Sequence, residues 1–301
     1  MICIIGSGRV GSSTAMRLAE MNLDDVMIID IVKGLPQGEA LDICQSCGFD
    51  VKISGSNDFS DMKGSDIVIN AAGLARQPGM TRLDLMKKNA EITLSIAKKV
   101  KKYAPDCVCI QVANPVDLMA FVMFRETGFS RERVIGMGGM LDSQRFRYFI
   151  AEELKVSPRK VEAMVIGEHG DSMVPLVSQA KVNDKTLKEL LKPDEIKKVV
   201  ERTKNAGAEL IGLKGSTFYA PSAAVTLMAE AVVRNTKKLF PASVYLQGEY
   251  GVSGIFNGVP AKLGNSGLEE IAELDIDEEE KKAFLNSCDV LKGKAKEIGL
   301  V

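Results

Sequence analysis

Histidine is almost missing from this chain: among 301 residues there is one, His169. Protein metal centres usually draw on several histidines or on well-spaced cysteine pairs, so the sequence argues against a metal site and none is expected. Neither sign of charge is in excess, with 39 Lys+Arg against 40 Asp+Glu. No block of like charge reaches the length of a nucleic-acid arm, which argues against nucleic acid and against an anionic membrane surface. Long apolar runs are also missing, and the longest fall far short of the roughly 20 residues of a membrane span. The first residues, Met1-Ile2-Cys3-Ile4-Ile5-Gly6, already read as a strand and leave no room for a leader. By elimination the expected address is cytoplasmic.

Cysteine is modest, at six residues. Cys44 and Cys47 form a C-x-x-C, a spacing used in redox sites and in half of a zinc site. They fall in a helical pattern with Ala40 and Leu41, while Cys107 and Cys109 fall in a strand. The expected role of the cysteines is that of small buried hydrophobes. What remains is ordinary for a globular protein: hydrophobic residues are 46% and charged residues 26%. The length suits one large or two medium domains.

The chain opens with a strand that runs into Gly6-Ser7-Gly8-Arg9-Val10-Gly11 and then a helical pattern through Thr14 and Leu18. A G-x-G-x-x-G means little alone, but between a strand and a helix it is a dinucleotide fingerprint. Gly6, Gly8 and Gly11 let backbone approach a pyrophosphate at the amino end of the helix. A second strand, 26–29, ends at Asp30, about twenty residues after the glycines, where a carboxylate accepts from a free ribose 2′-hydroxyl. That favours NAD over NADP. Strands expected at 51–53, 66–70, 107–112 and 133–136 alternate with helices at 36–47, 82–103 and from Pro115 to 126. Such alternation implies a doubly wound parallel sheet.

The loop after the strand 66–70 carries Arg76 and Arg82 around Pro78-Gly79. In such folds ligands lie beyond the carboxyl ends of strands, so a lid closing over an anion is one reading; two solvated surface arginines is the other. Thr81 and Asp84 are spaced as a capping box for the helix from Arg82. Past Gly136-Met137-Gly138-Gly139-Met140, expected to be a flexible joint, Leu141-Asp142-Ser143-Gln144-Arg145 opens a helix to 154. Asp142 and Arg145 share one helix face, as a site or as a surface ion pair. A buried strand is expected over 161–166, followed by Gly167-Glu168-His169-Gly170-Asp171. A histidine just past a strand end is placed for proton transfer near neutral pH, or is a satisfied loop residue.

Beyond it the sequence suggests a helix over 193–213 with an apolar stripe of Ile196, Val199, Val200, Thr203 and Leu210. A mostly apolar helix over 220–234, a strand pair at 244–246 and 255–259, and a last helix capped by Asp277 and Glu280 follow. The fold expected is α/β: an N-terminal Rossmann doubly wound parallel sheet over 1–140, and a C-terminal α+β substrate domain over 141–301.

Six stretches in this order resemble the lactate/malate dehydrogenase family, closest to malate dehydrogenases of the lactate dehydrogenase-like kind. They are Gly6-x-Gly8-x-x-Gly11, Arg76-x-Pro78-Gly79-Met80-x-Arg82, Asn114-Pro115, Leu141-Asp142-Ser143-x-Arg145, Gly167-Glu168-His169-Gly170-Asp171 and Gln247-Gly248-Glu249-Tyr250-Gly251. The resemblance implies reversible, NAD-dependent oxidation of (S)-malate to oxaloacetate, with a lactate or other 2-hydroxyacid dehydrogenase as the alternative. It implies His169 as proton acceptor and Asp142 as the carboxylate orienting it; Asp171, nearer in sequence, is poorly placed to reach back. Arg145 matches the anchor of one substrate carboxylate and Arg82 the lid arginine that polarises the carbonyl. Arg76 matches the position that reads the far end of the substrate, Asn114 the residue near substrate and nicotinamide, and Thr217 a pocket-lining residue. Asn89 joins Gly6, Gly8, Gly11, Asp30 and Asn114 as expected cofactor-binding positions. The partners implied are a small dicarboxylate and further copies of the chain, with a homotetramer favoured over a homodimer.

Overall fold

The computed structural model describes residues 1–46, 48–74 and 79–300. Cys47 and Arg76 therefore lie outside the described residues.

The first half is built from short apolar strands alternating with helices. In order these are β1 (Ile2–Ile5), α1 (Arg9–Glu20), β2 (Val26–Ile29), α2 (Leu35–Gln45), β3 (Ile53–Ser56), β4 (Ile67–Asn70), α3 (Arg82–Tyr103), β5 (Val108–Gln111), α4 (Val116–Thr127) and β6 (Val134–Gly136). Strands such as Ile2-Cys3-Ile4-Ile5 are apolar along their whole length because both faces are covered, and they are buried throughout. They pair in parallel in the order β6-β5-β4-β1-β2-β3, the doubly wound arrangement expected. β3 lies a little later than the apolar residues suggested, because its register is set by β2, with Val26 opposite Ile53. The box on α3 forms as spaced: Thr81 and Asp84 each satisfy the other's backbone N–H.

The second half begins with α5 (Gly139–Leu154). The joint before it is buried and closely packed rather than an open linker. Met137 and Met140 are buried, and a Cβ on Gly139 would lie 2.4 Å from the Val165 carbonyl, so the glycine is there for close packing. The expected strand over 161–166 is two. β7 (Val161–Glu162) joins β10 (Lys181–Val182) and β11 (Lys185–Thr186), whereas β8 (Val165–Ile166) pairs with β9 (Val174–Pro175).

Then come α6 (Leu187–Leu190), α7 (Pro193–Lys214) and α8 (Tyr219–Val233). On α7 the stripe is buried at Val199, Thr203 and Ala206 but fades beyond, where Ile211 and Leu213 are exposed. The apolar α8 packs on α1 and α5.

β12 (Lys238–Gln247), β13 (Ser253–Gly264) and the unforeseen β14 (Gly267–Ile271) form an antiparallel meander, far longer than the two short strands expected. β12 joins β6 through Ser243 opposite Gly136, so one nine-stranded sheet runs through both halves among the described residues. The last helix, α9 (Glu278–Glu297), has the expected Asp277–Glu280 box and buries Phe284, Cys288, Leu291 and Ala295. Of the cysteines, Cys3, Cys107, Cys109 and Cys288 are buried as expected, but Cys44 is exposed, with its thiol donating to the Ile53 carbonyl of β3 (3.7 Å). No helix among the described residues is long and apolar enough to cross a membrane.

Candidate active site

The residues at the carboxyl end of β8 form the centre of the site. His169 sits two residues past the left-handed Gly167, whose N–H donates to the Gly258 carbonyl of β13 (2.8 Å). The helix carrying Asp142 is pinned to the strand that leads to His169, because the Val165 N–H donates to the Ser143 hydroxyl (2.7 Å). Local geometry thus brings together residues that are far apart in sequence. His169 Nδ1 lies 2.6 Å from Asp142 Oδ2. Asp142 is fully buried, and its other oxygen accepts from Arg145 Nη1 (3.1 Å). Burial alone would push the His169 pKa down; the Asp142 carboxylate, by charge and hydrogen bond, outweighs it and holds the imidazole above its usual range. With the carboxylate at Nδ1 the proton is assigned there, which leaves Nε2 of the neutral ring as the acceptor.

Arg145 is mostly buried and close to α7, where a Cβ on Gly207 would lie 3.6 Å from its guanidinium. Its Nε is buried with no acceptor among the described residues. A buried donor of a charged group without a partner is costly, and an anionic ligand is the natural acceptor.

Asp171 stays away from the imidazole. It pairs instead with Arg82 Nη1 (2.8 Å), and both side chains are exposed. The structure therefore brings His169, Asp142 and Arg145 together and leaves Arg82 outside, at the first turn of α3. Asn114 lies at the end of β5, where its carbonyl accepts from Asn89 Nδ2 (2.8 Å); Asn89 Oδ1 in turn accepts from the Leu74 N–H (2.8 Å). The Asn89 amide is thus committed to tying two strand-end loops together. Thr217 lies half-buried between α7 and α8, and its neighbour Ser216 accepts from Arg9 Nη1 (3.1 Å).

Two contributors were not singled out from the sequence. Asp117, in the first turn of α4, accepts from the His169 backbone N–H (2.9 Å). Burial pushes its carboxyl up to about 6, against the lowering pull of Ser243 and that N–H. A lone acid in the run Val116-Asp117-Leu118-Met119-Ala120-Phe121 was the available signal. The other is Ser7, whose N–H and hydroxyl both donate to Asp30 Oδ2 (2.7 and 2.9 Å). Burial raises the Asp30 pKa, but the N–H groups of Val32 and Ser7 and the Ser7 hydroxyl more than offset it, so Asp30 stays a carboxylate.

Asp30 borders a cleft of about 320 Å³ at the strand ends, lined also by Ile5, Gly6, Ile29, Phe59 and Ile96. A Cβ on Gly11 would lie 1.8 Å from the Gly6 carbonyl, whereas the space beside Gly8 is open. The tight turn, the open approach to the start of α1 and the apolar cleft ending at a carboxylate fit the phosphates, adenine and ribose of NAD.

Family models match nearly the whole chain: the lactate/malate dehydrogenase NAD binding domain over residues 1–136, and the alpha/beta C-terminal domain of the same family over 139–299. A malate dehydrogenase of Methanosarcina barkeri is 50% identical over 97% of this chain and 96% of its own. The solved malate dehydrogenase of Aeropyrum pernix superposes with a TM-score of 0.95 at 45% identity, covering 98% of this chain and 97% of that one. A Cryptosporidium parvum lactate dehydrogenase, solved with lactic acid and nicotinamide adenine dinucleotide, gives 0.95 at 38%, covering 99% and 97%. With the glycine turn, the acidic strand end and the buried Asp142–His169 pair in one molecule, the chain belongs to the lactate/malate dehydrogenase family and binds NAD.

Proposed function

We propose that this chain is an NAD-dependent malate dehydrogenase, interconverting (S)-malate and oxaloacetate. One observation carries the reading: a buried carboxylate holds the single histidine at Nδ1, and an arginine beside it keeps a buried donor without an acceptor among the described residues. Arg145 takes the carboxylate next to the reacting carbon. His169 accepts the hydroxyl proton at Nε2 in oxidation and returns it in reduction, and Asp142 stabilises the imidazolium that forms between. NAD, when bound, supplies the hydride acceptor, or in reduced form the donor. Arg82 leaves Asp171 and swings in over the substrate oxygen. Asn114 helps to seat that oxygen, and Thr217 closes the pocket wall.

The choice of a dicarboxylate rests on Arg76, which lies outside the described residues and is read from the sequence alone. Arg145 accounts for one carboxylate and Arg76 for the second. Pyruvate would leave that arginine desolvated and unpaired on closure, which costs several kcal/mol, about 3–5 in measured cases. In this proposal residues 1–140 hold the cofactor and 141–301 supply the substrate machinery. It includes a homotetramer, supported by the exposed Ile211, Leu213 and Tyr219 around the α7–α8 turn.

The test is NADH oxidation followed with oxaloacetate and with pyruvate. We expect kcat/KM to favour oxaloacetate by about a hundredfold or more, and Arg76→Gln to narrow the ratio strongly. Preference for pyruvate in the unaltered protein would make it a lactate dehydrogenase instead.

A further inference from the structure

Glu168, the neighbour of the proposed proton carrier, has no task in that chemistry, yet it is almost entirely buried. Its carboxylate accepts from the Ser172 hydroxyl and from Lys294 Nζ of α9. Its backbone N–H donates to Ser287 Oγ of the same helix (2.7 Å), and Ser287 Oγ lies 3.1 Å from Ser172 Oγ. Ser287 and Lys294 are two helical turns apart and so share a face. The carboxylate folds back over Gly170, where a Cβ would come within 3.1 Å of Glu168 Cδ. α9 thus grips the loop on either side of His169.

We propose that Lys294 is a positioning residue for the catalytic loop: its charge holds the buried Glu168 carboxylate, and with it the backbone from Gly167 to Gly170, at the setting in which His169 meets Asp142 and Asp117. The role assigned to the loop rests on the dehydrogenase reading above. α9 does not need Lys294 to stay docked, because Phe284, Cys288, Leu291 and Ala295 bury its apolar face. Loss of Lys294 therefore falls on the loop. A buried carboxylate stripped of its cation must take a proton, find another cation or turn outward. One cation within electrostatic reach is Arg82, whose charge Glu168 already favours. Each of these outcomes disturbs the site.

The experiment compares Lys294→Met, Lys294→Gln, Lys294→Arg and the neutral pair Glu168→Gln/Lys294→Met. Readouts are NADH affinity, KM for oxaloacetate, kcat and the ring resonances of labelled histidine, which in this chain belong to His169 alone. Lys294→Met is expected to displace those resonances and to lower kcat about ten- to hundredfold, with NADH affinity unchanged. Lys294→Gln keeps a donor without the charge and should show a smaller loss in the same direction, which serves if the methionine variant does not fold. Lys294→Arg should restore kcat, and the neutral pair should recover most of it, since removing both charges leaves nothing unpaired. Unchanged kcat and resonances in folded Lys294→Met or Lys294→Gln would overturn the proposal, as would a double variant that loses as much kcat as Lys294→Met alone or more. If the unaltered protein fails to turn over oxaloacetate, the dehydrogenase reading fails, and the histidine resonances still judge Lys294.

Discussion

His169 is perturbed in two opposing directions, and their balance is measurable. Burial disfavours the imidazolium and Asp142 favours it; the carboxylate prevails, so the folded pKa lies above the usual histidine range. Oxaloacetate reduction needs the imidazolium. Its kcat/KM should therefore be full below the folded pKa and fall as pH rises through it, while malate oxidation should rise over the same interval, if chemistry limits the rate. By linkage, the pair also contributes stability that is present below the unfolded pKa and lost as pH rises through the folded one. In Asp142→Asn burial is opposed only by the smaller pull of Asp117, so the histidine pKa should drop and both profiles move to lower pH. Titration of the single histidine in the two proteins checks this directly; a pKa that stays put in Asp142→Asn would remove Asp142 as its cause. Asp117 is raised too, here because burial prevails over its hydrogen bonds, and its linkage runs in the same direction. Its carboxyl titrates near 6 in the fold but near 4 unfolded, so stability falls between those values as pH rises, and Asp117→Asn should flatten that slope.

At the scale of elements, α3 links a capping motif to catalysis. Arg82 is its first residue, and the Thr81–Asp84 box fixes where the helix begins. Removing such a cap typically costs about 1 kcal/mol, felt mostly in the first turn. Thr81→Ala should thus lower kcat/KM for oxaloacetate severalfold, because Arg82 loses its fixed base, while the melting temperature shifts by only a few degrees. A full-sized loss of global stability with unchanged kcat/KM would mean that the helix start does not matter for Arg82.

This box was legible in the sequence because it is local, as was the run from β1 through the glycine turn to Asp30. Elements defined by distant partners were not. The stretch 161–166 reads as one strand, yet its two ends pair with strands in different sheets. The length of β12 and β13 was hidden by Pro241 and Pro260, which weaken a strand signal but face each other in the hairpin. In the site, Asp142 was named through family resemblance, while Asp117 and Ser7 emerged only when helix, loop and strand end were seen side by side.

At the scale of the molecule, the continuous sheet decides how the two halves stand toward one another. β6 is an interior strand only because β12 lies beside it. Phe121 and Phe124 of α4, within the first half, pack on Tyr245 and Phe256 of the hairpin, with Phe124 stacked on Tyr245 at 4.7 Å between ring centres. One apolar core runs from Ile2 through these rings to Ala295. Cutting the chain after residue 136 would strip β6 of its neighbour and bare the two phenylalanines. Each large side chain so exposed forfeits roughly 1.5–3 kcal/mol, and an unpaired apolar edge strand invites aggregation. Against a total stability of about 5–15 kcal/mol, those losses are large enough to abolish independent folding. The intact chain should therefore melt in one calorimetric transition at fixed protein concentration, and residues 1–136 expressed alone should aggregate or bind hydrophobic dye without a cooperative melt. A soluble fragment that melts cooperatively and binds NADH would show that the cofactor half carries its own stability and that the shared sheet is a contact between two independent units.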